Sequence, residues 1–126
     1  MANNEVVIID YGIGNILSVQ QGFEEIGVNV IVTSNAKVIE MAKYLVLPGV
    51  GAFGAAMEKI MKNLPMELIE EDVISQRKPF LGICIGMQVL ANYGYEFGRH
   101  DGLGWIEGKV DIIDSGDNPL PHIDRK

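Results

Sequence analysis

The sequence predicts an open, mostly parallel α/β sheet with helices on both faces. Two features carry this expectation. Val6-Val7-Ile8-Ile9 and Tyr44-Leu45-Val46-Leu47 are unbroken apolar runs, the pattern of strands buried on both faces. Segments with helical spacing lie between such runs, and this alternation implies right-handed crossovers that cover both faces. The 126 residues suffice for one domain, spanning 1–126, and not two.

Val6 to Asp10 is the first strand, closed by an acid. Gly12-Ile13-Gly14 is a turn, and Asn15 is placed to cap the next helix. That helix shows Ile16, Val19, Phe23 and Ile26 on one face and Gly27 as its stop. Val28 to Val32 is a second strand, and Ser34 or Asn35 opens a short helix through Met41. Tyr44 to Leu47 is the third strand. Helices follow over Ala52–Met61 and Met66–Gln76; Pro65 opens the latter, whose acids Glu67, Glu70, Glu71 and Asp72 read as a solvated face. Phe80 to Ile83 is a fourth strand and Gly86 to Tyr93 a helix. Trp105 to Ile113 alternates and reads as one extended strand.

Composition narrows the function classes. A net charge of −7 argues against a nucleic-acid surface, which needs a basic face. No run reaches the about 18 apolar residues of a membrane span, and Met1 to Glu5 has no basic, apolar leader pattern. The single cysteine forms no internal disulfide and fits a reducing cytoplasm. Neither histidine has neighbours at metal-ligand spacing, so no metal and no cofactor are implied.

The chemistry concentrates at that cysteine. In Gly82-Ile83-Cys84-Ile85-Gly86 an apolar strand turns sharply into a helix, the thiol form of a nucleophile elbow. Glycines flank the nucleophile because a Cβ at either position would collide within so tight a turn. The turn lifts the thiol above the sheet and sets it at a helix N-terminus, which favours the reactive thiolate. A lone cysteine is otherwise commonly a buried structural residue; the flanking glycines favour the reactive reading. Leu47-Pro48-Gly49-Val50-Gly51-Ala52-Phe53-Gly54 follows the third strand. Its glycines let the backbone approach a ligand and present N–H groups to developing negative charge. Gly49, Gly51 and Gly54 match dinucleotide spacing, yet Pro48 precedes them and no acid ends the next strand, so that fingerprint is not met. In an open parallel sheet these loops, with Tyr11–Asn15, fall at the carboxyl ends of the strands, where sites form.

Together Ile9-Asp10-Tyr11-Gly12-Ile13-Gly14-Asn15, the Pro48–Gly54 segment, Pro79 to Gln88 and Gly102-Leu103-Gly104-Trp105-Ile106 resemble the class I (triad) glutamine amidotransferases. Within that family they look most like the glutaminase subunits of imidazole glycerol phosphate synthase. The resemblance covers nearly the whole chain and implies a flavodoxin-like core. It implies that Cys84 attacks the side-chain amide of L-glutamine and forms a glutamyl thioester, releasing ammonia. Gly49, Val50 and Gly51 would form the oxyanion strand, with a backbone N–H near Val50 joining that of Ile85. Gly51, Gln88 and Glu96 would hold the glutamine. Asn15 would lie in the loop facing a (β/α)8-barrel synthase subunit, the partner of a heterodimer that uses the ammonia in histidine biosynthesis.

The family also needs a His-x-Glu pair on strands downstream of the elbow. The imidazole activates the thiol and protonates the leaving ammonia, and the glutamate orients it. The chain has His100 and His122. His100-Asp101-Gly102 reads as a polar loop. Pro121-His122-Ile123 resembles the family's Pro-His-x-Gly-Trp-Asn segment, with Asp124 where glycine is expected. The ending at Lys126 therefore reads as C-terminal truncation or a frameshift, with an incomplete sheet, very low or absent glutaminase activity, and poor solubility or dependence on a partner expected. Three alternatives stand beside the main reading. One is a paralogous subunit supplying ammonia for surface-polysaccharide sugar amidation. Another is a non-catalytic docking subunit, because the triad's His-x-Glu is absent. The third is a flavodoxin-like module, weaker because the first loop lacks a phosphate-cradling Ser/Thr cluster.

Overall fold

The computed structural model describes residues 5–13 and 15–111. Strands β1 (Glu5–Ile9), β2 (Asn29–Thr33), β3 (Leu45–Leu47) and β4 (Phe80–Gly82) form one sheet in the order β2-β1-β3-β4. Every pairing in it is parallel. The register sets Val7 beside Leu45 and Ile8 beside Val46. Side chains alternate across a strand, so Val7, Ile9, Leu45 and Leu47 line one face and Ile8 and Val46 the other. All six are at most 2% exposed, which is why these strands read as continuous apolar runs.

The first face carries most of the core. Helices α2 (Ala36–Met41), α3 (Phe53–Asn63) and α4 (Met66–Glu70) bury Ile39, Phe53, Ala56, Met57, Ile60 and Ile69 against it. Phe53, Ala56, Met57 and Ile60 have the i, i+3, i+4, i+7 spacing of one helical face, and each large side chain so buried contributes roughly 1.5–3 kcal/mol. Asn35 caps α2, its Oδ1 accepting from the N–H groups of Lys37 at 2.9 Å and Val38 at 3.2 Å. The helix from Met66 continues into a π-turn over Glu71–Ser75. Two of the acids expected on a solvated face are engaged there. Asp72 pairs with Lys78 at 3.1 Å, whose ammonium also donates to the carbonyls of Ile39 and Glu40. Glu70 accepts from Trp105 Nε1 at 3.2 Å.

The other face carries α1 (Ile16–Glu25), which packs along β2 and has no buried residue. Asn15 precedes it with φ 70° and makes no side-chain capping bond; capping side chains usually stand on extended backbone, which Asn15 does not adopt. Gly27 ends the helix as expected, with φ 85° and the Val28 N–H donating back to the Phe23 carbonyl. Ile26 lies past the last turn and is 74% exposed. Beside α1, two apolar hollows of about 230 and 260 Å³ open over Val46, Phe80, Leu81 and Ile83. Leu81, on the edge strand, is half exposed.

After α5 (Ile85–Gln88) come three short strands, β5 (Tyr93–Gly94), β6 (His100–Asp101) and β7 (Lys109–Val110), ordered β6-β5-β7. The single strand expected from Trp105 is thus confined, within the described residues, to Lys109–Val110. Residues 105–108 bend between Gly104 and Gly108, both at positive φ. Ile112, Ile113 and His122 lie outside the described residues. Trp105 stacks edge-on against Phe80, ring centroids 5.1 Å apart, and joins this second sheet to the first.

Tyr11, 1% exposed, follows β1 and donates its hydroxyl hydrogen to the Pro48 carbonyl at 2.6 Å. Burial pushes its phenol from 10.0 up to about 12. A raised value favours the protonated form in the fold, so this stabilisation is complete below pH 10 and is lost as pH rises through about 12. In urea unfolding against pH, the stability gap between the parent and Tyr11→Phe is expected to be constant below pH 10 and to shrink toward pH 12. A gap that stays level across this range would contradict it.

Candidate active site

The loops after β1, β3 and β4 leave the same edge of the sheet, the carboxyl ends of parallel strands, as the sequence predicts. Cys84 stands between β4 and α5 with φ 56° and ψ −123°. Non-glycine residues rarely adopt this conformation, and it persists only where the surroundings enforce it. They do so here through hydrogen bonds. Ile83 N–H donates to the Leu47 carbonyl at 3.0 Å, and the N–H groups of Met87 and Gln88 donate to the Cys84 carbonyl at 2.9 and 3.1 Å. The thiol is exposed. A Cβ on Gly82 would lie 2.6 Å from the Gly86 carbonyl oxygen, and one on Gly86 would run into the carbonyl of Leu47. Both glycines are therefore required by backbone packed on backbone.

The helix expected over Gly86–Tyr93 is only α5, a single turn. The carbonyls that would continue it are claimed by the following segment. Val89 accepts from Leu103, Leu90 from Ile106, Ala91 from Gly104 and Asn92 from Gly102, at 2.7–3.0 Å. Any helix dipole behind the thiol is that of one turn.

The Pro48–Ala52 loop lies against the elbow. Ile85 N–H, one expected oxyanion donor, donates to the Gly49 carbonyl at 3.3 Å. The structure thus brings Gly49 and Ile85 together with that donor occupied. Gly49 is confined: a Cβ there would meet Ile85 Cγ2 and the Tyr11 hydroxyl, each at 2.6 Å. Gly51 has φ 99° with open space around it, and Val50 is 43% exposed. The loop is tight at Gly49 and loose at Val50–Gly51.

Gln88 and Glu96, distant in sequence, meet in a pocket of about 190 Å³ with Val110 and Asp111. Glu96 Oε1 accepts from the Phe53 N–H at 3.1 Å, so this acid also caps the helix that leaves the Pro48–Ala52 loop. Asn15 stands at the same edge, in the loop after β1. His100 belongs to β6 and packs over Gly54, where a Cβ would lie 2.6 Å from its ring. It lines a separate cavity of about 610 Å³ on the α3 flank, with Met57, Glu58 and Arg99. Among the described residues no His, Cys, Asp and Glu side chains cluster as a metal site. Chemically, the arrangement pairs an exposed thiol on a strained elbow with a backbone loop able to supply N–H groups, the parts of acyl transfer. Sequence reading missed Tyr11 as a site residue; its hydroxyl reaches this loop across 37 residues, which no local pattern shows.

A family model described as glutamine amidotransferase class-I matches residues 7–118. The chain is 43% identical, over 97% of its length, to the imidazole glycerol phosphate synthase subunit HisH of Zymomonas mobilis, covering 60% of that protein. It is 50% identical, over 83% of its length, to the HisH subunit of Syntrophotalea carbinolica, covering 50% of it. The chain thus spans 50–60% of the length of these curated relatives. A solved structure of a putative peptidase E protein from Listeria monocytogenes superposes with a TM-score of 0.60 at 12% identity, over 72% of this chain and 51% of that one. That likeness bears on the fold alone and agrees with the parallel α/β sheet.

Gly86→Ala is expected to destabilise the fold by about 1–3 kcal/mol, the range for overpacking, because the Leu47 backbone cannot yield. Chemical denaturation of the variant checks this; an unchanged midpoint would refute it.

Proposed function

The chain belongs to the class-I glutamine amidotransferase family, and from that premise we propose that it carries the nucleophile of an imidazole glycerol phosphate synthase glutaminase subunit. The observation that carries the reading is the strained, exposed Cys84 beside the glycine loop at Gly49–Gly51, together with relatives of that name at 43–50% identity. The Cys84 thiolate adds to the side-chain carboxamide carbon of L-glutamine. The carbonyl oxygen becomes an oxyanion, held by the N–H groups of Val50 and Ile85. The C–N bond then breaks, the nitrogen takes the proton that the Cys84 thiol gave up, and ammonia leaves a γ-glutamyl thioester on Cys84. Water adds to the thioester, glutamate departs and the thiol is restored. Gln88 and Glu96 hold the amino-acid end of the substrate, and Gly51 lines its path. Asn15 faces a (β/α)8-barrel synthase subunit, which consumes the ammonia in histidine biosynthesis in the cytoplasm.

Two physical requirements follow. The Gly49 carbonyl occupies the Ile85 N–H, so it must swing away before both donors can serve; one such donor is worth about 10²–10³ in rate. Proton transfer also needs a base, and His100 stands on the α3 flank. The resemblance assigns that role to a His-x-Glu pair farther along such chains. The closed hole and the remote His100 also favour a second reading, in which the chain docks on a synthase barrel without turning over glutamine.

Mass spectrometry after incubation with glutamine and the barrel subunit tests the two. A Cys84 adduct with the mass of a glutamyl group, lost in Cys84→Ala along with roughly 10³-fold or more of any glutaminase rate, is the expected result. Binding to the barrel with no adduct would move the docking reading to first place.

A further inference from the structure

Resting on the reading of Cys84 and its loop given above, we propose that Tyr11 is a positioning residue. Its hydroxyl pins the Pro48 carbonyl and makes it the fixed pivot about which the Gly49–Val50 peptide turns to open the oxyanion hole.

The Pro48 carbonyl is the last group of the loop held from the sheet side. Tyr11 donates to it at 2.6 Å across 37 residues of sequence, and both residues are fully buried. A buried carbonyl with a short hydrogen bond is costly to displace. Two residues on, the restraint ends: Val50 is 43% exposed, and a Cβ on Gly51, at φ 99°, would meet nothing within 4 Å. Between the two sits Gly49, wedged between the Tyr11 hydroxyl and Ile85, with its carbonyl on the Ile85 N–H at 3.3 Å. The Gly49–Val50 peptide can therefore rotate while the peptide before it stays in place. Rotation takes the Gly49 carbonyl off Ile85 and turns the Val50 N–H toward the vacated position. Without the pivot the whole loop would shift, and the donors would miss the oxygen.

The pivot is itself braced. Asn63 Nδ2 donates to the Tyr11 carbonyl at 3.0 Å and Lys59 Nζ to that of Gly12 at 2.8 Å. Both braces stand on α3, the helix that begins at Phe53 directly after the loop. Loop, helix and Tyr11 close into one frame. A phenol pushed up to about 12 by burial stays protonated, and so stays a donor, through the neutral range. A merely space-filling tyrosine would need none of these bonds, and phenylalanine would replace it without consequence for the loop.

The test uses the 126-residue chain and its Tyr11→Phe variant, with two probes of Cys84. Iodoacetamide alkylates the thiol with no oxyanion; L-glutamic acid γ-monohydroxamate acylates it through one. Loss of roughly 10- to 100-fold in acylation, the cost of a misplaced group, with alkylation unchanged, is the expected split. Equal falls in both rates, or no change in either, would overturn the proposal. Hydrogen exchange of the amides at 49–53 supplies a readout independent of turnover: they should exchange faster in the variant while those of β1 and β3 do not. A parent that is not acylated, as a chain without the distal His-x-Glu base allows, leaves exchange to decide: unchanged exchange at 49–53 in the variant would overturn the role of Tyr11. Should Tyr11→Phe not fold, Asn63→Ala, which loosens Tyr11 from behind, replaces it in the same measurements; unchanged exchange at 49–53 there would also overturn the idea.

Discussion

The contact on which the rest of this structure depends is the meeting of the Gly86 backbone with the Leu47 carbonyl. It brings the turn after β4 against the end of β3 with no side chain between them. That approach allows Ile83 to donate to the Leu47 carbonyl and Ile85 to that of Gly49. With the hydrogen bonds around it, it holds Cys84 at a positive φ of 56° and leaves the residue exposed. The strain is sustained because the β3 backbone beneath it is buried on both faces.

The fold is asymmetric about its sheet. One face is closed by α2, α3 and α4, whose apolar residues form a continuous cluster with β1 and β3. Among the described residues the other is covered by α1, and apolar hollows remain over β3 and β4. The loop after β3 runs into the well-packed side. The Pro48–Ala52 loop leads into α3, and Glu96 and Tyr11 each bind a backbone group at one of its ends. A rigid face thus supports a loop that is firm at Pro48 and free at Gly51. That combination suits the proposed oxyanion hole, closed at rest by its own carbonyl and opened by turning one peptide.

Much of this was legible in the residues. The continuous apolar runs gave the buried strands, because residues facing both helical layers cannot be polar. Glycines two before and two after Cys84 gave the elbow, because no other residue fits where backbone touches backbone. Asn35 and Gly27 marked helix ends through local bonds. Asn15 did not cap, since its backbone is left-handed. Gln88 and Glu96 were expected to work together through resemblance, not through anything in their spacing.

Local patterning thus determined the element order, the parallel sheet, the elbow at Cys84 and the glycine loop after β3, because each is written in residues near one another in sequence. Tertiary structure alone decided the rest. Residues 102–106 take the carbonyls that would have extended α5, so a predicted helix stops after one turn and a small second sheet forms. Tyr11 reaches Pro48, Glu96 reaches Phe53, and the Gly49 carbonyl covers the Ile85 N–H. These are long-range competitions for backbone hydrogen bonds, and which carbonyl wins a given N–H is settled only when distant segments are packed side by side.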